Sequence, residues 1–403
     1  MLRGHDIVCI SSLDWGAHRT SKQQIMHRLA GPNRVLYVEE PVTMLAPLKV
    51  PSRWHRWKEL VPRVHEVQSG LWVLTPPPLL PFGNMYPTIN RTNQLVLAAY
   101  IRRALKRIGM RHPLLWAYLP TSGPLVDRLG PSLVIYHCVD EHSAFPGFVR
   151  PRVVRGYDDE ITRRADLVIT SARNLLASRE HLNQNIHHVR HAADISVFSR
   201  ALDPGLAIPS DVAAIPSPRL GVVGVHDERL DTDAIETLAG ADPAWQIVLV
   251  GPVQPGDVDE PRLRALANVH LLGGKTVAEL PGYLKALDVA LIPYKLNELT
   301  RNIFPLKLYE YMAAGLPIVA AALPELAPFA DVISLAGSAS EYPALVRDAL
   351  VADTPEARQE RSRLAAGNTW EDRVEEISAL VEETLARKAD RAGAAVRVER
   401  EDA

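Results

Sequence analysis

Cysteine is scarce in this chain: two residues in 403, Cys9 and Cys138. Both lie in apolar runs, Ile7–Ile10 and Val134–Val139, and read as small buried hydrophobes of a reducing compartment. Two thiols are too few for a disulfide framework or a cysteine-based metal site. An excess of one charge is also missing. The chain has 45 Lys and Arg against 47 Asp and Glu, a formal net charge of −2, without the electrostatic footprint of a nucleic-acid binder. No apolar run approaches about 18 residues, so no transmembrane helix is expected. Met1–Asp6 leads straight into a strand-like run, unlike a signal peptide. The expected location is the cytoplasm. The G-x-G-x-x-G fingerprint, an H-E-x-x-H helix and a clear paired-carboxylate metal motif are absent, and the histidines are scattered, which gives no support to a zinc site or a nucleophilic triad. No solenoid-type period is visible.

What is present is the pattern of a globular protein of two domains. Hydrophobic residues make up 47% and charged residues 23%, and the length exceeds one ordinary core. Short apolar runs separated by helix-length segments form a first series: Asp6–Ser12, Arg34–Glu39, Leu114–Leu119, Leu133–Cys138 and Asp166–Ser171, with a helix expected at Ser21–Ala30. A second series comprises Arg219–Gly224, Gln246–Gly251, Val269–Leu272, Val289–Pro293 and Pro317–Ala321, with helices at Asp231–Ala239 and Thr276–Leu287. This alternation predicts two doubly wound α/β domains with parallel sheets covered on both faces. The division expected is an N-terminal domain over 1–200, a Pro- and Ala-rich linker over 201–218 and a C-terminal domain over 219–368. A helix over 369–388 and a disordered tail over 389–403 follow. Ligands of such folds sit at the carboxyl ends of the strands, so the site is expected in a cleft between the domains.

The most informative segment is Pro305–Ala320, read as a short helix, a glycine stop at Gly315 and a buried strand. Pro305 suits a first helical turn, and Pro317 keeps the helix from resuming. A helix N-terminus beside a sheet edge favours an anion, and Glu310 within the helix can accept both hydroxyls of a ribose. An ordinary amphipathic βαβ helix would share these features.

The phrase P-x-K-L-Y-E-Y-x-A-A-G-x-P-x-V resembles the donor-site signature of retaining glycosyltransferases of family 4, which have the GT-B fold. The resemblance spans most of the chain and is most specific over Val269–Ala320. It implies two Rossmann-like domains, with the Trp370–Leu385 helix crossing back onto the first. It also implies transfer of a sugar from a nucleotide sugar, UDP- or GDP-linked, to a hydroxyl of a saccharide, lipid-linked or small-molecule acceptor. No metal or other cofactor is needed at the diphosphate of such enzymes.

On the donor side the resemblance points to Arg229 for the diphosphate, where a guanidinium can grip phosphate bidentately; a surface arginine paired with Asp227 or Asp231 is the alternative. Val248–Pro252 and Leu271–Lys275 each end a strand in glycine, which makes Gly251 and Lys275 candidates for close approach to the nucleotide, or plain turn residues. Arg301, Asn302, Lys307, Leu308 and Glu310 complete the donor set. The family often shows two glutamates in an E-x7-E spacing. Counted back from Glu310, the first falls on Asn302, which can bind a sugar hydroxyl but carries no charge. Asn302 is therefore taken for the sugar and Glu310 for the ribose.

On the acceptor side, Tyr136–Phe145 resembles a stretch of a family 4 subgroup of polysaccharide assembly. Asp140 is the first candidate to position the acceptor or take its proton, with His142 second; an N-cap role is the alternative for Asp140. In the first βα loop Gly16 lies among Trp15, His18 and Arg19. Trp15 can stack on a sugar face or anchor the core. Arg190–Asp194 loosely matches the family's Asn/His-Gly-x-Asp hinge strand. The segment Leu48–Leu60 is basic with two tryptophans, which suits a membrane interface or an ordinary surface loop. The partners expected are a nucleotide sugar and a saccharide or lipid-linked acceptor, with peripheral membrane association. The alternative readings are another GT-B nucleotide-sugar enzyme of epimerase type, or a non-catalytic donor-binding subunit.

Overall fold

The computed structural model describes residues 1–16, 20–49 and 63–401, and the chain divides into two compact units. The first comprises Met1–Arg190 with Glu371–Ala403, the second His191–Trp370. The boundary thus falls before the expected linker. The 201–218 stretch belongs to the second unit because its apolar residues find partners there: Ala201, Val212 and Ile215 are buried in that unit's core.

The first unit is built on an eight-stranded sheet of order β3-β4-β2-β1-β5-β6-β7-β8. Its strands are β1 (Asp6–Ile10), β2 (Arg34–Val38), β3 (Arg63–Gln68), β4 (Leu71–Thr75), β5 (Leu114–Ala117), β6 (Leu133–Cys138), β7 (Leu167–Thr170) and β8 (Ile186–His188). All pairings are parallel except β3 with β4, an antiparallel edge. The helices Ser21–Leu29, Pro87–Ile108 and Pro151–Arg164 lie between these strands in the chain. Cys9 and Cys138 are buried free thiols, and burial pushes both well above the usual thiol range.

The second unit has six parallel strands in the order β11-β10-β9-β12-β13-β14. They are β9 (Arg219–Val223), β10 (Gln246–Val250), β11 (Val269–Gly273), β12 (Val289–Ile292), β13 (Ile318–Ala321) and β14 (Ser334–Ala336). Both faces are buried, which explains the unbroken apolar runs. Val223, Val248, Val250, Ala290 and Ile292 enter one core. Their neighbours Leu220, Val222, Ile247, Leu249, Val289 and Leu291 enter another. The chain order reverses between β9 and β12, and doubly wound sheets bind ligands at that switch point.

The last helix runs Trp370–Glu401, past residue 388 where a disordered tail was expected. Its distal half is rich in Ala, Arg, Lys and Glu, residues of high helix propensity. Val374, Ile377 and Val381 are buried. Its polar face meets the first unit through Arg28–Glu371 at 2.7 Å, Lys388–Asp166 at 2.7 Å and the N-terminal amine with Glu375 at 2.7 Å. From Glu371 on, this helix belongs to the first unit, the return that the resemblance implies.

Candidate functional site

In the second unit the switch point is closed by two glycines. Gly224 follows β9 with φ +119° and Gly251 follows β10 with φ +147°. A Cβ on Gly251 would lie 1.8 Å from the Gly224 carbonyl oxygen, and one on Gly224 would lie 2.6 Å from Lys307 Cε. Only glycine therefore fits at either strand end, and the gap is filled by the lysine stem. Lys307 Nζ donates to the Tyr294 hydroxyl at 3.2 Å and lies 5.2 Å from that ring's centroid. The Arg229 guanidinium stands 5.5 Å from the same ring, and its Nε donates to Asp227 Oδ1 at 2.7 Å. Burial works against ionisation of Tyr294, but the two cations win and hold its hydroxyl below the usual range. Of the two alternatives for Arg229, the structure shows the pairing with Asp227; Asp231 instead caps the helix Thr232–Ala241. A guanidinium held on one carboxylate and one ring is an oriented cation, and the cluster of Arg229, Lys307 and Asp227 carries a formal surplus of one positive charge.

The helix of the opening motif spans Lys307–Ala313, shorter than expected. Pro305 precedes it, its carbonyl accepting from Leu308 N–H at 3.1 Å, and Gly315 with φ +75° follows its end. Glu310 lies one turn beyond Lys307 and is half-buried. Burial raises its carboxyl from 4.5 to about 7, with Asp194 adding to the rise and Lys307 opposing it. No hydrogen bond to that carboxylate is found among the described residues.

Two donor-side expectations change. Lys275 does not join the cluster: its Nζ binds Asp211 at 2.8 Å and lies over the Tyr283 ring at 4.9 Å. This is a packing contact to a segment distant in sequence. Lys275→Met is expected to leave nucleotide affinity unchanged within twofold in calorimetry, with a stability cost of about 1 kcal/mol or less. Leu308 is fully buried in the core and offers a ligand no side-chain surface. Asn302 is tied to its own loop, donating to the Glu298 carbonyl at 2.6 Å, which leaves its carboxamide oxygen to meet a hydroxyl. Arg301 is exposed on the turn Thr300–Asn302.

Two residues escaped the sequence reading. Tyr294 lies two residues past the end of β12, and only the β9–β12 adjacency brings it to Arg229. His226 is 1% exposed, with neither ring nitrogen partnered among the described residues. Burial and Lys307 depress its pKa to about 3, with Asp227 opposing. The sole sequence signal for either was its place just past an apolar run.

In the first unit, β6 delivers Asp140 and His142 to its carboxyl end. Asp140 Oδ2 lies 3.9 Å from Lys22 Nζ, and Lys22 is itself 6% exposed. Asp140 is not the cap: Glu141 caps the turn His142–Ala144 by accepting from Ser143 N–H. His142 Nε2 is 3.2 Å from the Tyr118 carbonyl oxygen. A carbonyl only accepts, so Nε2 carries the hydrogen and Nδ1 of the neutral ring keeps a lone pair. Burial depresses the His142 pKa, against the pull of Asp140 and Asp158, so the ring is neutral near pH 7. Trp15 is half-buried, its ring edge-on to Tyr37 at 4.9 Å, and its backbone N–H donates to Glu39 Oε1 at 2.9 Å. Gly16 is exposed. His18, Arg19 and most of the Leu48–Leu60 segment lie outside the described residues. Among the described residues no helix is long and apolar enough to cross a membrane.

Residues 219–352 match the family model of glycosyl transferases group 1. The chain is 28% identical over 313 residues to TuaH of Bacillus subtilis (strain 168), assigned as a glycosyltransferase of teichuronic acid biosynthesis; the match covers 68% of this chain and 77% of that protein. Among solved structures, sucrose-phosphate synthase of Thermosynechococcus elongatus superposes with a TM-score of 0.68 at 18% identity, covering 95% of this chain and all of the other. Anabaena HepE in complex with UDP-glucose gives 0.62 at 17% identity, with 94% and 100% covered. Fold and family model agree: residues 219–352 form a group 1 glycosyltransferase domain, the chain has the GT-B fold, and it is an enzyme that transfers a sugar from a nucleotide-sugar donor.

Proposed function

We propose that the enzyme is a retaining glycosyltransferase of polysaccharide assembly, with a UDP-sugar as donor and a saccharide or lipid-linked hydroxyl as acceptor. The observation that carries the donor half is the oriented pair of cations, Arg229 and Lys307, at the β9–β12 switch point, with the unpartnered Glu310 carboxylate one turn further on. In this reading Arg229 and Lys307 meet the diphosphate and stabilise the charge that grows as the anomeric C–O bond breaks. Glu310 accepts the two ribose hydroxyls, the Asn302 carboxamide oxygen meets the sugar, and side chains rather than a metal balance the leaving group. On the acceptor half, neutral His142 takes the hydroxyl proton on Nδ1 and Asp140 steadies the resulting imidazolium. The choice of UDP leans on HepE, whose complexes hold UDP and UDP-glucose; that of polysaccharide leans on TuaH. A cytoplasmic protein associated peripherally with the membrane would suit a lipid-linked acceptor.

Incubating the purified protein with UDP-, GDP- and dTDP-sugars tests this: slow hydrolysis of a UDP-sugar alone, with the anomeric configuration kept in the product, is expected. Glu310→Ala removes two charge-assisted hydrogen bonds, worth about 3 kcal/mol together, or roughly a hundredfold in donor affinity. Equal binding of all three nucleotides, or none, would overturn the reading.

The raised Glu310 carboxyl adds a pH signature. Its folded pKa, about 7, lies above the ordinary 4.5, so the free protein must lose a proton to bind ribose below neutrality. Affinity for UDP-glucose is expected to fall toward tenfold per pH unit from pH 7 to pH 5, and Glu310→Gln to flatten that slope. Stability runs the other way. The group's contribution is full below about 4.5 and is lost as pH rises through about 7, because the native state binds more protons in that window.

A further inference from the structure

The first unit contains a cavity of about 470 Å³ with His142 in its wall. Its buried lining combines apolar residues, Val42, Leu79 and Val154, with a few placed polar groups, as ligand pockets do. Asn90, Asn93 and Gln94 are among its most buried lining residues, at 3%, 7% and 4% exposure. Its exposed lining includes a large apolar group, Leu45 at 39%, Leu80 at 40% and Phe148 at 58%, with Asn84 and Pro146 beside it.

The buried amides have defined tasks, with one vacancy. Asn93 clamps Leu80, accepting from its N–H at 3.0 Å and donating to its carbonyl at 2.9 Å. Asn90 donates to the Thr121 carbonyl at 3.2 Å, and Gln94 donates to Asn90 Oδ1 at 3.1 Å. Gln94 Oε1 accepts nothing among the described residues, and a buried carbonyl oxygen left so costs about 1–3 kcal/mol unless a ligand or water satisfies it. The rim is fixed at some expense. Phe82 sits at φ +68°, uncommon for a bulky residue. Its ring meets Phe148 edge-on at 5.3 Å, and Tyr157 holds the next carbonyl, Gly83, at 2.9 Å. Among the described residues, Glu40 and His142 are the titratable ones in the lining.

We propose that this cavity receives the acceptor, and that the acceptor is an amphiphile: a hydroxylated head reaches Gln94 and His142, and an aliphatic chain leaves across Leu45, Leu80 and Phe148. The proposal rests on the acceptor role given to His142 above. It assigns the acceptor to the lipid-linked class and names the residues that tell it from a free saccharide.

Alkyl β-D-glucosides from ethyl to octyl, titrated into the full chain below their micelle concentrations, provide the probe. Affinity is expected to rise about fourfold per methylene, the value of one buried CH₂, until the chain clears the rim. Leu80→Ser with Phe148→Ser should flatten the slope to under twofold while UDP-glucose affinity and melting temperature hold. Gln94→Leu should weaken all chain lengths by one common factor, about tenfold. Affinity indifferent to chain length, or a slope unchanged in the double variant, would overturn the proposal. The rising slope in a protein that binds no nucleotide sugar supports the cavity's assignment and overturns only the donor reading.

Discussion

Arg179→Met is expected to lower the stability of the first unit by about 3–5 kcal/mol, a drop of roughly 10 °C in its melting transition. Arg179 is almost wholly buried, as is Asp158, which it grips bidentately through Nε and Nη2. The same group donates to Glu141 Oε2 at 3.1 Å, the Leu175 carbonyl at 3.2 Å and Ser178 Oγ at 2.7 Å. Methionine keeps the length of the side chain and removes every donor, so the Asp158 carboxylate is left buried without its counter-charge. That uncompensated ion, rather than the lost bond, dominates the cost. Adding Asp158→Leu should therefore recover most of the stability. It should not recover activity, because Glu141 lies between Asp140 and His142 and loses its tether either way. Thermal melts of the two variants decide the matter: equal destabilisation by single and double replacement would show that the charge is not the cause.

Strands β9, β10, β12 and β13 of the second unit were legible because they are buried on both faces and read as continuous apolar runs. The Trp370 helix was legible from the spacing of Val374, Ile377 and Val381. The β3–β4 hairpin was not, since Arg63–Gln68 is an edge strand with polar residues on its exposed positions, and β14 has only three residues. At the site, Glu310 and Lys307 share one turn of helix, and Arg229 lies in the loop that follows a recognisable strand, so local sequence carried them. Tyr294 and His226 needed the order of strands in the sheet, which no local pattern contains. Lys275 was misassigned for the same reason in reverse. It sits beside a strand-end glycine, but its partner Asp211 lies 64 residues away, and a contact at that separation leaves no mark in the neighbouring residues. Leu308 was drawn in by its place in the motif, although a residue next to Lys307 on a helix points about 100° away from it, here into the core.

Gly251→Ala is expected to weaken donor binding by about a hundredfold or more. The added methyl would lie 1.8 Å from the Gly224 carbonyl oxygen, and both atoms belong to backbone, so no side chain can swing aside. Alanine also meets φ +147°, where a Cβ costs about 1–2 kcal/mol on its own. The strands cannot part to relieve the contact, because β9 and β10 are joined by hydrogen bonds and packed in cores on both faces. The displacement must go into the loop Gly224–Arg229, which carries the guanidinium, and into Lys307, whose Cε already occupies the space beside Gly224. A shift of about 1 Å in positioned groups costs on the order of a hundredfold. UDP-glucose affinity should fall by at least that much, with a loss of several kcal/mol in stability. Gly273→Ala is the matched control: it too has positive φ, at +69°, but no atom lies within 4 Å of its added methyl. It should cost about 1 kcal/mol and leave binding intact. Calorimetry with UDP-glucose separates the two, and a Gly251→Ala protein that bound the nucleotide as the parent does would refute the role given to the strand-end glycines.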